Sequence, residues 1–179
     1  MSDSDKIRET NNRKGVNLPL LIVSIVIVGL TTGIATMKVL DTRIERKIEK
    51  VKITKDQLRE FISKVDRMVA KYTVRTDEDG LPIVHPPAGS EVYILAKNYD
   101  FGKFTLELEK GKTYQLKLAA KELKHAIVVH ELKLQNRIKV GEIKTIEFVP
   151  AKAGTFRVVC GEWCGVGHPS MAGKIIVTE

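Results

Sequence analysis

The sequence predicts a small, mainly β domain, built as an antiparallel sandwich or barrel and carried behind one membrane-spanning helix and a helical connector. Three observations predict it. An uncharged run lies near the N-terminus, apolar residues then recur at helical spacing, and from Glu91 onward short apolar runs alternate with Gly and Pro breaks. The 179 residues, 43% hydrophobic and 29% charged, suit one folded domain with appendages.

Between Lys14 and Lys38 there are 23 residues without a charge, including Leu18-Pro-Leu-Leu-Ile-Val-Ser-Ile-Val-Ile-Val-Gly-Leu30. A helix of that length reaches about 33 Å, enough to cross the hydrocarbon core. Pro19 suits a first helical turn, and Gly29 and Gly33 are tolerated in membrane helices. The h-region of a cleaved signal peptide would be shorter and followed by a small-residue cleavage site, so a retained anchor over residues 16–38 is expected. Residues 1–15 then form an N-terminal segment on the cytoplasmic side. Flanking charge gives the opposite orientation: Lys6, Arg8, Arg13 and Lys14 precede the span, and Lys38, Arg43, Arg46, Lys47, Lys50 and Lys52 follow it. Long domains cross regardless of such charges, so the chemistry of the domain has to arbitrate.

Residues 39–83 read as a helical connector. Leu40, Ile44, Ile48 and Val51 recur at helical spacing, and the period resumes with Leu58, Phe61, Ile62, Val65, Met68 and Val69. Thr54 with Gln57 reads as a capping box between the two stretches. Asp77-Glu-Asp-Gly80 marks a turn and Pro86-Pro87-Ala-Gly89 the start of the strand-rich region. Strands are expected at residues 92–95, 104–108, 113–118, 126–129, 137–140, 144–149, 155–159 and 174–177. Gly111, Gly141, Pro150 and Gly154 space them as a sandwich or barrel requires. The net charge of +8 is dispersed, with no phosphate loop and no aromatic-basic motif, which argues against a nucleic-acid partner.

One segment carries chemistry: Cys160-Gly-Glu162-Trp163-Cys164-Gly-Val-Gly-His168-Pro-Ser-Met171, in a chain with two cysteines and four histidines. Thiolate, imidazole and thioether together suit copper, whereas Mg or Ca would want oxygens. The loop lies between two expected strands, a rigid mount for ligands. Four readings compete. A disulfide leaves His168 and Met171 unused. A structural zinc site leaves Met171 unused. A mononuclear copper site leaves one Cys unused. A two-copper centre with both thiolates bridging uses every member but needs another imidazole, from His85, His125 or His130.

The pattern Cys160-x-Glu162-x-Cys164-x3-His168-x2-Met171 resembles the CuA loop of cytochrome c oxidase subunit II. The 35 positions from His125 to Cys160 match that family's interval. Lys139-Val-Gly-Glu, Pro150-Ala-Lys-Ala-Gly154 and Gly173-Lys-Ile-Ile-Val177 resemble its domain as well. The likeness covers roughly residues 84–178 and implies a cupredoxin-like Greek-key barrel over residues 84–179. It implies a binuclear copper centre, CuA, bridged by Cys160 and Cys164. His125 and His168 would be terminal ligands, with Met171 and the Glu162 carbonyl as weak axial ones, leaving His85 and His130 as spectators. In some members this Glu also binds Mg at the border with the large subunit, and an ordinary surface carboxylate is the simpler expectation. Trp163 is expected to shield the site within an apolar shell.

The resemblance further implies cytochrome c as donor, a haem-containing catalytic subunit I as acceptor, and a single-pass protein in membrane lipid. The site would face the periplasm or exterior of a bacterial or archaeal cell. Dioxygen reduction and proton pumping would belong to the partner subunit. Departures from the family are informative. One expected span instead of two points to the B-family oxidases. The aromatic strand that admits electrons elsewhere is replaced by Asn98-Tyr99-Asp-Phe101, which leaves Tyr99, Phe101 and Trp163 as candidates for that role. The basic balance implies partner docking that is less electrostatic than in those members or of reversed sign. Alternatives are the CuA module of a nitric oxide or nitrous oxide reductase, and a copper-delivery or copper-storage protein.

Overall fold

A computed structural model describes residues 48–179. The expected spanning helix at residues 16–38, and the segment before it, lie outside the described residues. Among the described residues no helix is long and apolar enough to cross a membrane.

The first element corrects the sequence reading. Ile48 and Val51 belong not to a helix but to strand β1, Ile48–Lys52, which pairs antiparallel with β9, Glu142–Phe148. Five residues are too few to separate the two periods, and the open edge of β9 supplies backbone partners that a helix here would lack. The helix proper, α1, spans Lys55–Tyr72 and starts at the expected capping box, with Thr54 N–H donating to Gln57 Oε1 at 2.8 Å. Its apolar stripe packs inward: Phe61, Val65 and Met68 are buried against the β domain, with Leu58, Ile62 and Val69 beside them. The connector therefore contributes to the core. Phe61 meets Tyr93 edge to face with ring centres 5.4 Å apart.

The remaining strands are β2 Thr73–Thr76, β3 Pro82–Val84, β4 Glu91–Ala96, β5 Thr105–Glu109, β6 Tyr114–Ala120, β7 His125–Val129, β8 Leu134–Ile138, β10 Gly154–Cys160 and β11 Ala172–Thr178. Two sheets form, of order β1-β9-β6-β4 and β2-β3-β5-β11-β10-β7-β8. Strand residues that point between the sheets close the core: Leu116, Leu118, Ile146 and Phe148 from the first, and Leu108, Ile127, Leu134 and Ile138 from the second. The fold is mainly β, as expected, but it is not purely antiparallel. β4 runs parallel to β6, and β5 runs parallel to both β3 and β11. Alternation of apolar residues marks a strand without stating its direction, because a parallel and an antiparallel neighbour bury the same face. The strand expected at residues 137–140 lies earlier, at Leu134–Ile138, and β2 and β3 extend the second sheet ahead of the Pro86-Pro87 break.

The β2–β3 turn is pinned by one carboxylate. Asp77 Oδ1 accepts from the N–H groups of Asp79 and Leu81 at 3.0 and 2.9 Å, and Oδ2 from Thr105 Oγ1 at 2.6 Å and Lys174 Nζ at 3.3 Å. These donors, Thr105 foremost, lower the Asp77 pKa from 3.8 to about 2. A carboxyl lowered on folding stabilises the fold fully above its unfolded pKa, and that stabilisation disappears as pH falls through the folded one. Stability is thus expected to decline between pH 3.8 and about 2 with an Asp77 component that Asp77→Asn removes. Denaturant midpoints across that range measure it, and parallel acid limbs in both proteins would exclude the contribution.

Candidate metal centre

The ends of two neighbouring strands bring the ligand set together. β10 pairs with β7 through Cys160 opposite Ile127, which places His125, at the start of β7, beside the end of β10. His125 Nδ1 lies 3.8 Å from Cys160 Sγ. The loop from residue 161 to 171 leaves β10 and returns into β11, closed at its base by Cys160 N–H donating to the Met171 carbonyl at 3.4 Å. Within it His168 N–H donates to Gly165 O at 3.0 Å and Met171 N–H to His168 O at 3.2 Å, which folds the second half back over the first.

The donors then form a continuous chain. Cys160 Sγ and Cys164 Sγ are 3.9 Å apart, and both thiols are free. Cys164 Sγ lies 3.6 Å from His168 Nδ1 and 3.8 Å from Met171 Sδ. The Cys160 thiol faces the Glu162 carbonyl at 3.2 Å. Among the described residues, His125, Cys160 and Cys164 form a buried group whose donor atoms all lie within 4.8 Å of one another. The sulfur separation is less than twice a metal–sulfur bond of about 2.3 Å, so a single ion can reach both thiolates.

Burial sets the protonation states. It lowers the His125 pKa, keeping the imidazole neutral, the form that ligates metal. Cys164 is raised to about 11, first by burial and then by the neighbouring Cys160, so metal uptake must expel its proton. Glu162 behaves differently. Its carboxylate bonds to Lys124 Nζ at 2.9 Å and Arg137 Nε at 3.0 Å, and Lys124 above all lowers its pKa. The side chain thus ties the loop to the β6–β7 turn and to β8. A magnesium ion there would have to displace both cations.

The other candidates are distributed unevenly. His85 faces Glu107 at 3.1 Å on β5, remote in its bonding from the loop, and His130 opens a short 3-10 turn. Phe101 is buried in the core. Trp163 corrects the expectation of an apolar shell: it is 68% exposed, with its ring centre 5.4 Å from that of His168. Tyr99 lies against the loop glycines. The sequence reading missed the clamp by Lys124 and Arg137, because a basic residue next to a histidine carries no pattern. Opposite charges flanking the loop in space are visible only after β7 and β8 have paired.

Two β sheets bearing a Cys-His-Met loop between adjacent strands define a cupredoxin-like domain with a soft-metal site. No protein-family model matches the chain. It is similar to cytochrome c oxidase subunit 2 of Thermus thermophilus, 27% identical over 88 residues, which cover 49% of this chain and 65% of that relative. It is 36% identical over 72 residues to cytochrome c oxidase subunit 2 of Thermostichus vulcanus, covering 40% of this chain and 22% of the other. The chain spans less than two thirds of the length of these relatives. A chain from a haem-copper terminal oxidase dimer has the same fold, with a TM-score of 0.51 and 20% identity over 88% of this chain and 96% of that one. The chain is thus similar in sequence to cytochrome c oxidase subunit 2 and in fold to a chain of a haem-copper terminal oxidase.

Proposed function

We propose that the chain is the electron-accepting subunit II of a terminal haem-copper oxidase. It would carry a binuclear CuA centre on His125, Cys160, Cys164, His168, Met171 and the Glu162 carbonyl. One observation carries the reading: two reduced cysteine sulfurs lie 3.9 Å apart, each within 3.8 Å of an imidazole of its own. A disulfide would leave both imidazoles idle, a single copper one of the cysteines, and a zinc site the Met171 thioether that lies 3.8 Å from Cys164 Sγ. Bound there, the copper pair supplies reversible one-electron chemistry, and a rigid, largely buried ligand set keeps reorganisation small when charge arrives.

The chain's own residues do the rest. The paired ends of β7 and β10 fix His125 against Cys160, and the loop's internal hydrogen bonds fix His168 and Met171 against Cys164. His125, Cys160, Cys164 and Met171 are at most 8% exposed, which keeps water from the sulfurs. Trp163 continues the His168 ring to the surface, and it is the favoured point at which a donor such as cytochrome c delivers its electron. The acceptor is haem in a separate catalytic subunit, where dioxygen is reduced and protons are pumped. The domain faces the exterior, anchored by the expected span at residues 16–38.

Anaerobic reconstitution of the chain with copper tests this. Two coppers per chain and a delocalised mixed-valence EPR signal are expected. One copper, or a preference for zinc, would overturn it. Co-purification with a haem-containing oxygen reductase separates the oxidase reading from nitrogen-oxide reduction and copper delivery.

A further inference from the structure

Two features unrelated to metal ligation meet at one side chain. The connection between β4 and β5 begins with a two-residue hairpin turn, closed by Lys97 N–H to Asp100 O at 3.1 Å and Asp100 N–H to Lys97 O at 2.9 Å. Both central residues have positive φ, +45° at Asn98 and +62° at Tyr99. Such turns favour Asn-Gly, because the second position suits glycine. A bulky aromatic residue there is strained, and backbone strain persists where the surroundings gain from it.

The surroundings here are the metal loop. The Tyr99 ring lies directly against two glycines between Cys164 and His168. A methyl group added at Gly165 would sit 3.0 Å from Tyr99 Oη, and one added at Gly167 would clash with the Cγ side of the Tyr99 ring. Gly165 also has φ +111°. The sequence Cys164-Gly-Val-Gly-His168 is therefore cut to the shape of an aromatic ring delivered from another strand connection. Val166, between the two glycines, points away and is 92% exposed.

We propose that Tyr99 is a positioning residue for the metal centre: its ring, wedged under Gly165 and Gly167, holds the Cys164–His168 half of the loop in ligating geometry. It acts through the loop backbone at Gly165 and Gly167. The inference rests on the metal-site reading above and adds a determinant of affinity and reduction potential outside the ligand set. It also gives Tyr99 a role other than admitting electrons, since its face is spent on the glycines.

The test compares Tyr99→Phe, Tyr99→Gly, Gly167→Ala and the Tyr99→Gly/Gly167→Ala double variant in the full chain. Glycine accepts the positive φ, so Tyr99→Gly removes the ring while relieving the turn. Copper affinity by chelator competition should fall about tenfold or more in Tyr99→Gly, the usual scale for residues that orient ligands. Its reduction potential should shift, while Tyr99→Phe stays near the parent in both. Gly167→Ala should weaken copper binding on its own, and the added methyl should cost far less once the ring is gone. In metal-free protein, alkylation of Cys164 should accelerate in Tyr99→Gly and not in Tyr99→Phe. Parent-like affinity, potential and alkylation in Tyr99→Gly would overturn the assignment, and so would strictly additive effects in the double variant. The alkylation measurement needs no metal, so it decides the brace even if reconstitution refutes the two-copper reading.

Discussion

Replacing Cys160 by serine is expected to abolish two-copper loading and its mixed-valence spectrum while leaving the domain folded. Cys160 is 8% exposed and adjoins three donors at once: His125 Nδ1, Cys164 Sγ and the Glu162 carbonyl. A hydroxyl is a hard, protonated oxygen and cannot serve as a shared soft ligand. Its O–H can still donate to the Glu162 carbonyl, so little is lost from the fold. Met171→Leu is the contrasting case. Met171 is 1% exposed, and leucine fills nearly the same volume, a swap that costs under about 1.5 kcal/mol. Two coppers should remain with an altered reduction potential, because only a weak ligand is lost. Metal stoichiometry and EPR on both variants measure the difference. An unchanged spectrum in Cys160→Ser would refute the bridging role.

Phe61→Ala is expected to cause the largest loss of stability for a residue far from the metal. Phe61 is 2% exposed, sits in the main core and meets Tyr93 edge to face. Truncating a buried Phe costs about 3–5 kcal/mol. For a domain of this size that corresponds to a fall of roughly 10–20 °C in the unfolding midpoint. The copper spectrum should be unaffected at low temperature, because α1 packs on β4 and contributes nothing to the ligand loop. Differential scanning calorimetry measures the shift. A change under about 1 kcal/mol, typical of surface substitutions, would show that α1 is a tether and not part of the core.

The sequence made the donor set legible because ligand chemistry is written in residue type. Cys160, Cys164, His168 and Met171 are close in the chain, whereas His125 was singled out among three histidines only by the family resemblance, through its 35-position interval to Cys160. The strands themselves were legible as short apolar runs between Gly and Pro breaks, as in β6, where Tyr114, Leu116 and Leu118 are buried. Three things were not legible, each for a physical reason. β1 is too short for its period to be read, and its fate was decided by the free edge of β9. The parallel pairings depend on which strands meet after long connections, which alternation does not encode. In the loop no period operates, so nothing in the sequence told whether Trp163 would turn inward or outward.

β11 sits inside its sheet, between β10 and β5, with Lys174 opposite Thr105 and Ile175 opposite Leu106. The edge of β5 cannot be satisfied by β11 until residues 172–178 have left the ribosome, and a pairing so distant in sequence is slow to form. The metal loop ends on that same strand. During synthesis both thiols therefore precede the scaffold that will bury them, and they emerge as open, unmatched sulfurs. Under the proposed function, copper would be captured only after residues 172–178 have emerged, and only while both cysteines remain reduced.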